Sequence, residues 1–518
     1  MALRYSKNLS IIATFLSTNL WCSAFLLSSE IGVLRNRNHN KHFSTTDEDR
    51  KEGVTEKDSD NISPLSSSPP PSSSLLSKRL DGLDAPTVWH EFSPLAVKHK
   101  SINLGQGFPD WDPPRFVIEE LKRSTDPEYN DANQYARSAA HLPLAEALRN
   151  DYVDYQWKES DLPTDILHNL DAVTNIATAT GVTNVLYCAL QGLVNPGDEV
   201  LLLEPYFDIY SSQVKLAGGT PIYCPLRSDI SKLVGASEFF TLDLDELASK
   251  ITTKTKVLIL NTPHNPTGKI FNIDELEGIA NLVSDYPNLI VLSDEVYQHL
   301  LFDKEKEPHI SIATVNNGQI WDQTLTMSSA GKTFSCTGWK VGWAIGPAHL
   351  IKAITAVQQW CNFSPVTPTQ DAISRALVLA RRPYEGYDSY YDWLVAGYEQ
   401  KRSILIDALE NAGIITPAMP RMAVIKSETP TKGEATETIM PRDWALSRWL
   451  TTTVGVTAIP PSAFYGPDNL HLASNTLRFA FCKNEDTLLE ASRRLEDYHF
   501  PTVSTSSAAA ATDAELSS

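Results

Sequence analysis

Thr324-Leu-Thr-Met-Ser-Ser-Ala-Gly-Lys-Thr-Phe-Ser335 is a short apolar-alternating run that breaks into a turn of small residues carrying one lysine, Lys332. Alternation over Thr324–Met327 predicts a strand, and the Ser, Ala and Gly residues after it predict a tight turn. A lysine on such a turn at a strand end can reach into a pocket instead of into water. A Schiff-base lysine sits in such a place, because an amine is nucleophilic only when its pKa is lowered or its proton is removed. On this stretch alone a solvated surface lysine is an equal reading, and the rest of the chain decides.

Outward from Lys332 the chain alternates strand and helix signals. Val182, Val185, Leu186, Ala189, Leu190 and Leu193 form a helical stripe that Asn195-Pro-Gly-Asp198 stops. Short apolar runs at 199–203, 256–260, 289–292, 324–327 and 341–345 read as buried strands. Asn272 and Glu275 have capping-box spacing for a helix reaching Asp285. This order predicts an α/β domain with a mostly parallel sheet covered by helices on both faces. Its functional groups belong at the carboxyl ends of the strands. After Gln370 the pattern is mainly helical and closes on a strand over 476–481, as in a smaller α+β domain.

The first 78 residues have a different composition. Arg4 and Lys7 precede the apolar stretch Leu9–Leu27, with Cys22-Ser-Ala24 as a small-residue cleavage site, and a basic stretch from Arg35 to His42 follows. This is a signal-peptide layout, and Ala24-Phe25 ahead of the basic stretch looks like a two-part plastid leader. A mitochondrial leader is the second reading and a signal anchor the third. The organelle reading predicts removal of the leader and no stable membrane anchor in the mature chain. The Ser/Pro tract 63–77 and the Ala/Ser-rich tail 504–518 read as disordered. The expected organisation is therefore leader and linker over 1–78, an N-terminal arm with part of the small domain over 79–124, the large domain over 125–370, the small domain over 371–503, and the tail.

A chain of 518 residues with 42% hydrophobic and 21% charged residues is ordinary for a globular enzyme. A formal charge of -19 and the lack of a basic stripe argue against a nucleic-acid partner. The six cysteines show neither CxxC pairs nor metal-ligand spacing, so free thiols and no catalytic metal are expected.

Each strand end carries a polar group. Asn261-Thr-Pro-His-Asn265 follows the strand ending at Leu260, and Ser293-Asp294-Glu-Val-Tyr297 follows Leu292. Lys332 and Lys340 follow Met327, and the helix from Val182 offers unpaired N–H groups to an anion. A lysine, a carboxylate and an anion site suit pyridoxal phosphate, which needs an amine for its aldehyde, a carboxylate at its pyridine nitrogen and a seat for its phosphate.

These residues, with Arg79-Leu-Asp-Gly-Leu83, Asn103-Leu-Gly-Gln-Gly-Phe-Pro-Asp110, Asn133-Gln-Tyr135, Gly197-Asp-Glu-Val200, Glu204-Pro-Tyr-Phe-Asp208, Asn261–Lys269, Ser329–Gly342 and Leu477-Arg-Phe479, resemble class I (fold-type I) pyridoxal-phosphate aminotransferases from about residue 79 to 498. Among them the chain is most similar to kynurenine aminotransferase/cysteine-conjugate β-lyase and the methionine and glutamine transaminases. The resemblance implies a large domain with a mostly parallel seven-stranded sheet, a smaller α+β domain built from both ends of the chain, and a homodimer. It implies transfer of an amino group from an L-amino acid to a 2-oxo acid, with β-elimination from cysteine conjugates as the alternative. A non-catalytic amino-acid-binding module on the same fold is the remote one.

By position, the resemblance makes Lys332 the Schiff-base lysine and proton shuttle, and Asp294 the partner of the pyridine nitrogen. Asn265 and Tyr297 hydrogen-bond the phenolic oxygen. Val182, Thr183, Ser329 and Lys340 hold the phosphate, joined by Tyr135 of the neighbouring subunit. Phe207 stacks on the ring. Arg478 clamps the substrate carboxylate near the Gly107 backbone and Asn265, and Trp89 and Phe108 line the side-chain pocket. Each also has a plain reading: Asp294 as a helix cap, Asn265 as a turn residue, Arg478 as the partner of a buried acid, Lys340 as a solvated strand end, and the aromatics as core. Two segments depart from the family pattern. Pro417–Ile425 lacks a Gly-aromatic strand, and Asn362–Pro368 lacks the aromatic-His pair of some kynurenine enzymes and looks closer to the methionine-preferring relatives.

Overall fold

The computed structural model describes residues 12–13, 77–83, 85–129, 132–228, 240–412, 440–473 and 476–498. The leader and linker lie outside them apart from 12–13 and 77–78, as do the tail 504–518 and the segment Pro417–Ile425. Residues 25–84 form one unit, whose described part is a 3₁₀ turn at Lys78–Leu80; residues 1–24 and 85–518 form the other.

The second unit is built on a seven-stranded sheet: β1 Ile176–Thr180, β2 Glu199–Glu204, β3 Thr220–Pro225, β4 Thr255–Asn261, β5 Ile290–Asp294, β6 Thr324–Ser329 and β7 Val341–Ile345. Their spatial order is β1-β7-β6-β5-β4-β2-β3. All neighbours run parallel except β7, which is antiparallel to both β1 and β6. The expected α/β architecture is present, and the apolar runs show why. Val200 and Leu202 of β2 pack on one face with the helix Val182–Leu193, while Leu201 and Leu203 pack on the other with Ile273–Ser284. A strand buried on both faces reads as a continuous apolar run.

The helix Ile273–Ser284 starts with the expected box. Asn272 accepts from the Glu275 amide at 2.9 Å, and Glu275 accepts from the Asn272 amide at 3.1 Å. Glu275 also pairs with the buried Lys269 ammonium at 2.8 Å. That pair fastens the loop 262–269, closed by His264 N–H on Lys269 O at 2.8 Å and Gly268 N–H on His264 O at 2.7 Å.

Both ends of this unit meet beside the sheet. Ile102–Asn103 pairs in parallel with Val456–Thr457, and Phe92 packs with Ile459 and Phe464. The strand expected over 476–481 is shorter. Only Thr476–Leu477 is a strand; Arg478 then exchanges 3.0 Å bonds with Ile459, and Ala480 N–H reaches Leu104 O at 2.7 Å. The segment divides its backbone bonds among three neighbours, Ile12–Ala13, Ile459 and Leu104, so no single ladder runs its length.

Glu275 carries two duties, and this separates two substitutions. Asn272→Ala removes a cap and should lower stability by about 1 kcal/mol. Glu275→Ala also leaves Lys269 as a buried cation without this carboxylate and should cost roughly 3 kcal/mol. Denaturant midpoints of the two variants check the order, which an equal loss would refute.

Candidate active site

The register brings the strand ends level. Asn261, Asp294 and Met327 are partners across β4, β5 and β6. Asn261 ties the first two together: its amide donates to Asp294 O at 2.8 Å, and its side-chain oxygen accepts from Asn265 N–H at 2.5 Å. Asn265 is thereby held in the loop beside Asp294.

The Asp294 carboxylate is buried and accepts from the Tyr210 hydroxyl at 2.6 Å. Burial pushes its pKa up to about 6; the Tyr210 bond opposes the shift, as does the weaker pull of the Lys332 charge. Three residues past β6, Lys332 lies on the four-residue turn Ala330–Thr333. It is buried, not solvated: its ammonium is 3.4 Å from Gly107 O and lies over the Tyr297 ring at 5.8 Å.

Positive charge gathers at the start of the helix Val182–Leu193. Gly181 precedes it at φ 77°, and Lys340 stands in the left-handed region at φ 56°. A Cβ on Gly181 would be 3.3 Å from both Cε and Nζ of Lys340, so the ammonium lies against the helix N-terminus. The first N–H groups of a helix have no intrahelical acceptor, and the dipole there is positive. Burial first, and the Lys332 charge second, lower Lys340 to about 8. Two ammonium groups and a helix start crowded together are a donor set for an anion. The seat depends on Gly342, opposite the buried Ser329 on β6, because a Cβ there would be 2.2 Å from Val182 N. The residues present fit the phosphate, amine and ring-nitrogen requirements of pyridoxal phosphate.

Arg478 is buried and donates to Gly105 O. Its guanidinium lies between the rings of Trp89 at 5.3 Å and Phe464 at 5.2 Å. Trp89 is fixed by its indole N–H on Asp208 at 2.7 Å. Burial raises the Asp208 pKa against that bond and the Arg478 charge. Phe108 is half-buried: Lys483 donates to its carbonyl at 2.8 Å and lies 4.4 Å from its ring. Phe207 is half-buried, edge-on to Tyr210 at 5.6 Å. Tyr135 is 81% exposed, edge-on to Phe363 at 5.2 Å.

Sequence reading missed Tyr210, Asn261 as a staple, Asp208 as the anchor of Trp89, and the Gly342 contact. Tyr210 lies one helical turn after Phe207, a spacing that puts both on one face. Nothing local distinguishes Gly342 from any glycine in a strand.

Gly342→Ala would push the helix start off β7. The apoprotein should lose the rise in melting temperature that inorganic phosphate gives the parent chain; a variant with an undiminished rise would show that the anion seat does not depend on this contact.

Residues 99–495 match the family model "Aminotransferase class I and II". A kynurenine--oxoglutarate transaminase of Dictyostelium discoideum is 41% identical over 78% of this chain and 92% of its own length. Human kynurenine--oxoglutarate transaminase 3 is 38% identical over 79% of this chain and 87% of its own. A solved Escherichia coli structure, reported with a methionine aminotransferase function, superposes with a TM-score of 0.65 at 29% identity, covering 82% of this chain and 99% of that one. Members of this family in general use pyridoxal phosphate. With the lysine, the carboxylate and the anion seat on one sheet edge and a family match over most of its length, this chain belongs to the class I and II aminotransferases.

Proposed function

We propose that the chain uses pyridoxal 5′-phosphate to move the amino group of a large L-amino acid, kynurenine foremost, to a 2-oxo acid, as a homodimer. One observation carries the reading. Arg478 bonds the carbonyl of Gly105 and Lys332 approaches that of Gly107, so both cations are gathered on a three-residue stretch of backbone. A 2-amino acid carries its carboxylate and its reactive Cα on adjacent atoms, and a carboxylate clamp beside a proton-transferring amine matches that layout.

When bound, pyridoxal phosphate supplies an electron sink for the charge left at Cα. Lys332 takes the Cα proton and returns it as a general base and acid, a role its burial shields from water. Asp294 keeps the pyridine nitrogen protonated, oriented by Tyr210 and by the strand end. Asn265 and Tyr297 serve the phenolic oxygen. Val182, Thr183, Ser329 and Lys340 hold the phosphate. Arg478 orients substrate through a bidentate fork that lysine cannot reproduce. Trp89 and Phe108 face the substrate side chain, and Phe207 faces the cofactor ring. Tyr135, 81% exposed in a single chain, suits a contact with a second subunit.

The relatives' names support kynurenine, whereas the Asn362–Pro368 segment favours methionine. A panel of kynurenine, methionine, glutamine and phenylalanine against several oxo acids separates the two; pyruvate and ammonia released from a cysteine conjugate without an oxo acid would indicate β-elimination instead. Lys332→Ala should lower kcat by roughly 10²–10⁴-fold or more with the fold intact. Full activity in that variant would end the proposal.

Tyr210→Phe tests the Asp294 environment. Only the ionised carboxylate can hold a protonated pyridine nitrogen, so cofactor uptake by the apoprotein should rise with pH through about 6. Without the Tyr210 donor the carboxyl keeps its proton longer, and the midpoint should move to higher pH. Stopped-flow binding across pH measures it; an unmoved midpoint would separate Tyr210 from Asp294 ionisation.

A further inference from the structure

Three cations meet one four-residue stretch of backbone, and the proposed function uses only two of them. Arg478 donates to Gly105 O, Lys332 to Gly107 O at 3.4 Å, and Lys483 to Phe108 O at 2.8 Å. Arg478 is given to the substrate carboxylate and Lys332 to the cofactor and the Cα proton. Neither ligand calls on Lys483.

Lys483 is buried, 5% exposed. Its ammonium lies 4.4 Å from the centre of the Phe108 ring, so the same side chain holds both the carbonyl and the ring of that residue. An ammonium taken out of water needs such bonds, and a bond from a charged donor is roughly twice as strong as a neutral one. The ring face adds attraction of its own.

The stretch is fastened on both sides of this contact. Before it, the Asn103 side-chain oxygen accepts from Gly105 and Gln106 N–H at 2.9 and 3.2 Å, and a Cβ on Gly105 would be 2.7 Å from Ile459 Cγ1. After it, the Asp110 carboxylate accepts from the Asn484 N–H and, at 3.2 Å, from the Thr487 hydroxyl. The Asp110 carbonyl accepts from the Asn484 side-chain amide at 3.0 Å. Asn484 precedes the helix Glu485–Asp497 without capping it, so Asp110 supplies acceptors at that helix start. Trp111 lies edge-on to Tyr398 at 5.3 Å, with Lys401 over its ring at 4.9 Å, both on the helix Tyr390–Asn411. Gly107 and Phe108 thus span two anchored ends. Of the cations that steady them, Lys483 alone is not handed to a ligand.

We propose that Lys483 is a positioning residue for the substrate side-chain pocket: it fixes Phe108 while Lys332 and Arg478 are engaged, and so sets the affinity for amino acids with large side chains. The proposal rests on the reading of Phe108 as a wall of that pocket. Asp110 and Asn484 hold the chain beyond Phe108 but touch neither its carbonyl nor its ring, so they cannot replace the lysine.

Lys483→Met keeps an unbranched chain and removes the donor and the charge; Lys483→Arg keeps both. In the holoenzyme, Lys483→Met should raise KM for phenylalanine and kynurenine about fivefold or more, with kcat within about twofold. Alanine does not reach Phe108, and its KM, or its inhibition constant where it is not turned over, should stay within about twofold. Lys483→Arg should restore most of the loss. In a Phe108→Ala background, Lys483→Met should add nothing for the large substrates, because the lysine acts through that ring. Amide hydrogen exchange over residues 104–111 should quicken in Lys483→Met, more in the holoenzyme than in the apoprotein, where Lys332 still meets Gly107 O. Equal rises in KM for alanine and phenylalanine, additive effects of the two substitutions, or unchanged exchange would overturn the proposal. A parent chain that transaminates no amino acid would instead overturn the reading of its activity, and the exchange measurement would still judge Lys483.

Discussion

The contact between Gly342 and the start of the helix Val182–Leu193 is the constraint on which the site depends. A Cβ at Gly342 would stand 2.2 Å from Val182 N, so only a bare backbone lets β7 run between β1 and β6 at this point. That placement lays Lys340 against Gly181 and sets Gly342 opposite Ser329, the residue immediately before the turn that carries Lys332. The reversed direction of β7 is what returns the chain from the Lys332 turn to the helix N-terminus. A parallel strand there would need a crossover and would enter from the other edge of the sheet.

The second organising feature is charge held out of water. Asp294 lies at the end of a strand buried on both faces, and burial moves its pKa more than any neighbour does. Lys332, Lys340 and the helix start collect positive charge on the same edge, with each ammonium disfavouring the other. Like charge crowded beside a helix start in this way is relieved by an anion. Farther along, Asp208 fixes the Trp89 indole, and the Arg478 guanidinium lies over that ring at 5.3 Å, so one buried acid helps order both side chains.

Much of this was legible in the chain. Strands β2, β4, β5, β6 and β7 stand out because burial on two faces demands uninterrupted apolar runs, and Asn272 with Glu275 marks a helix start because capping is local chemistry. β1 and β3 were harder. The Ile-Ala-Thr-Ala-Thr of β1 mixes small and polar residues, and β3 contains two prolines at an edge, where a missing donor does no harm. The strand expected over 476–481 was overread because alternation reports burial and not which neighbour takes each hydrogen bond. Tyr210 escaped notice since a tyrosine in an amphipathic helix is ordinarily core, and only the fold places Asp294 beside its hydroxyl.

The sequence by itself determined the class of architecture and singled out the lysine, the carboxylate and the arginine as candidates. These depend on periodicity, local turn chemistry and a motif order that survives without coordinates. Tertiary structure alone decided how they work together: which carbonyl each cation meets, which hydroxyl steadies Asp294, and which glycine admits the helix to the sheet. Those contacts join residues up to 373 positions apart, as between Arg478 and Gly105, and no local pattern encodes a distance set by packing.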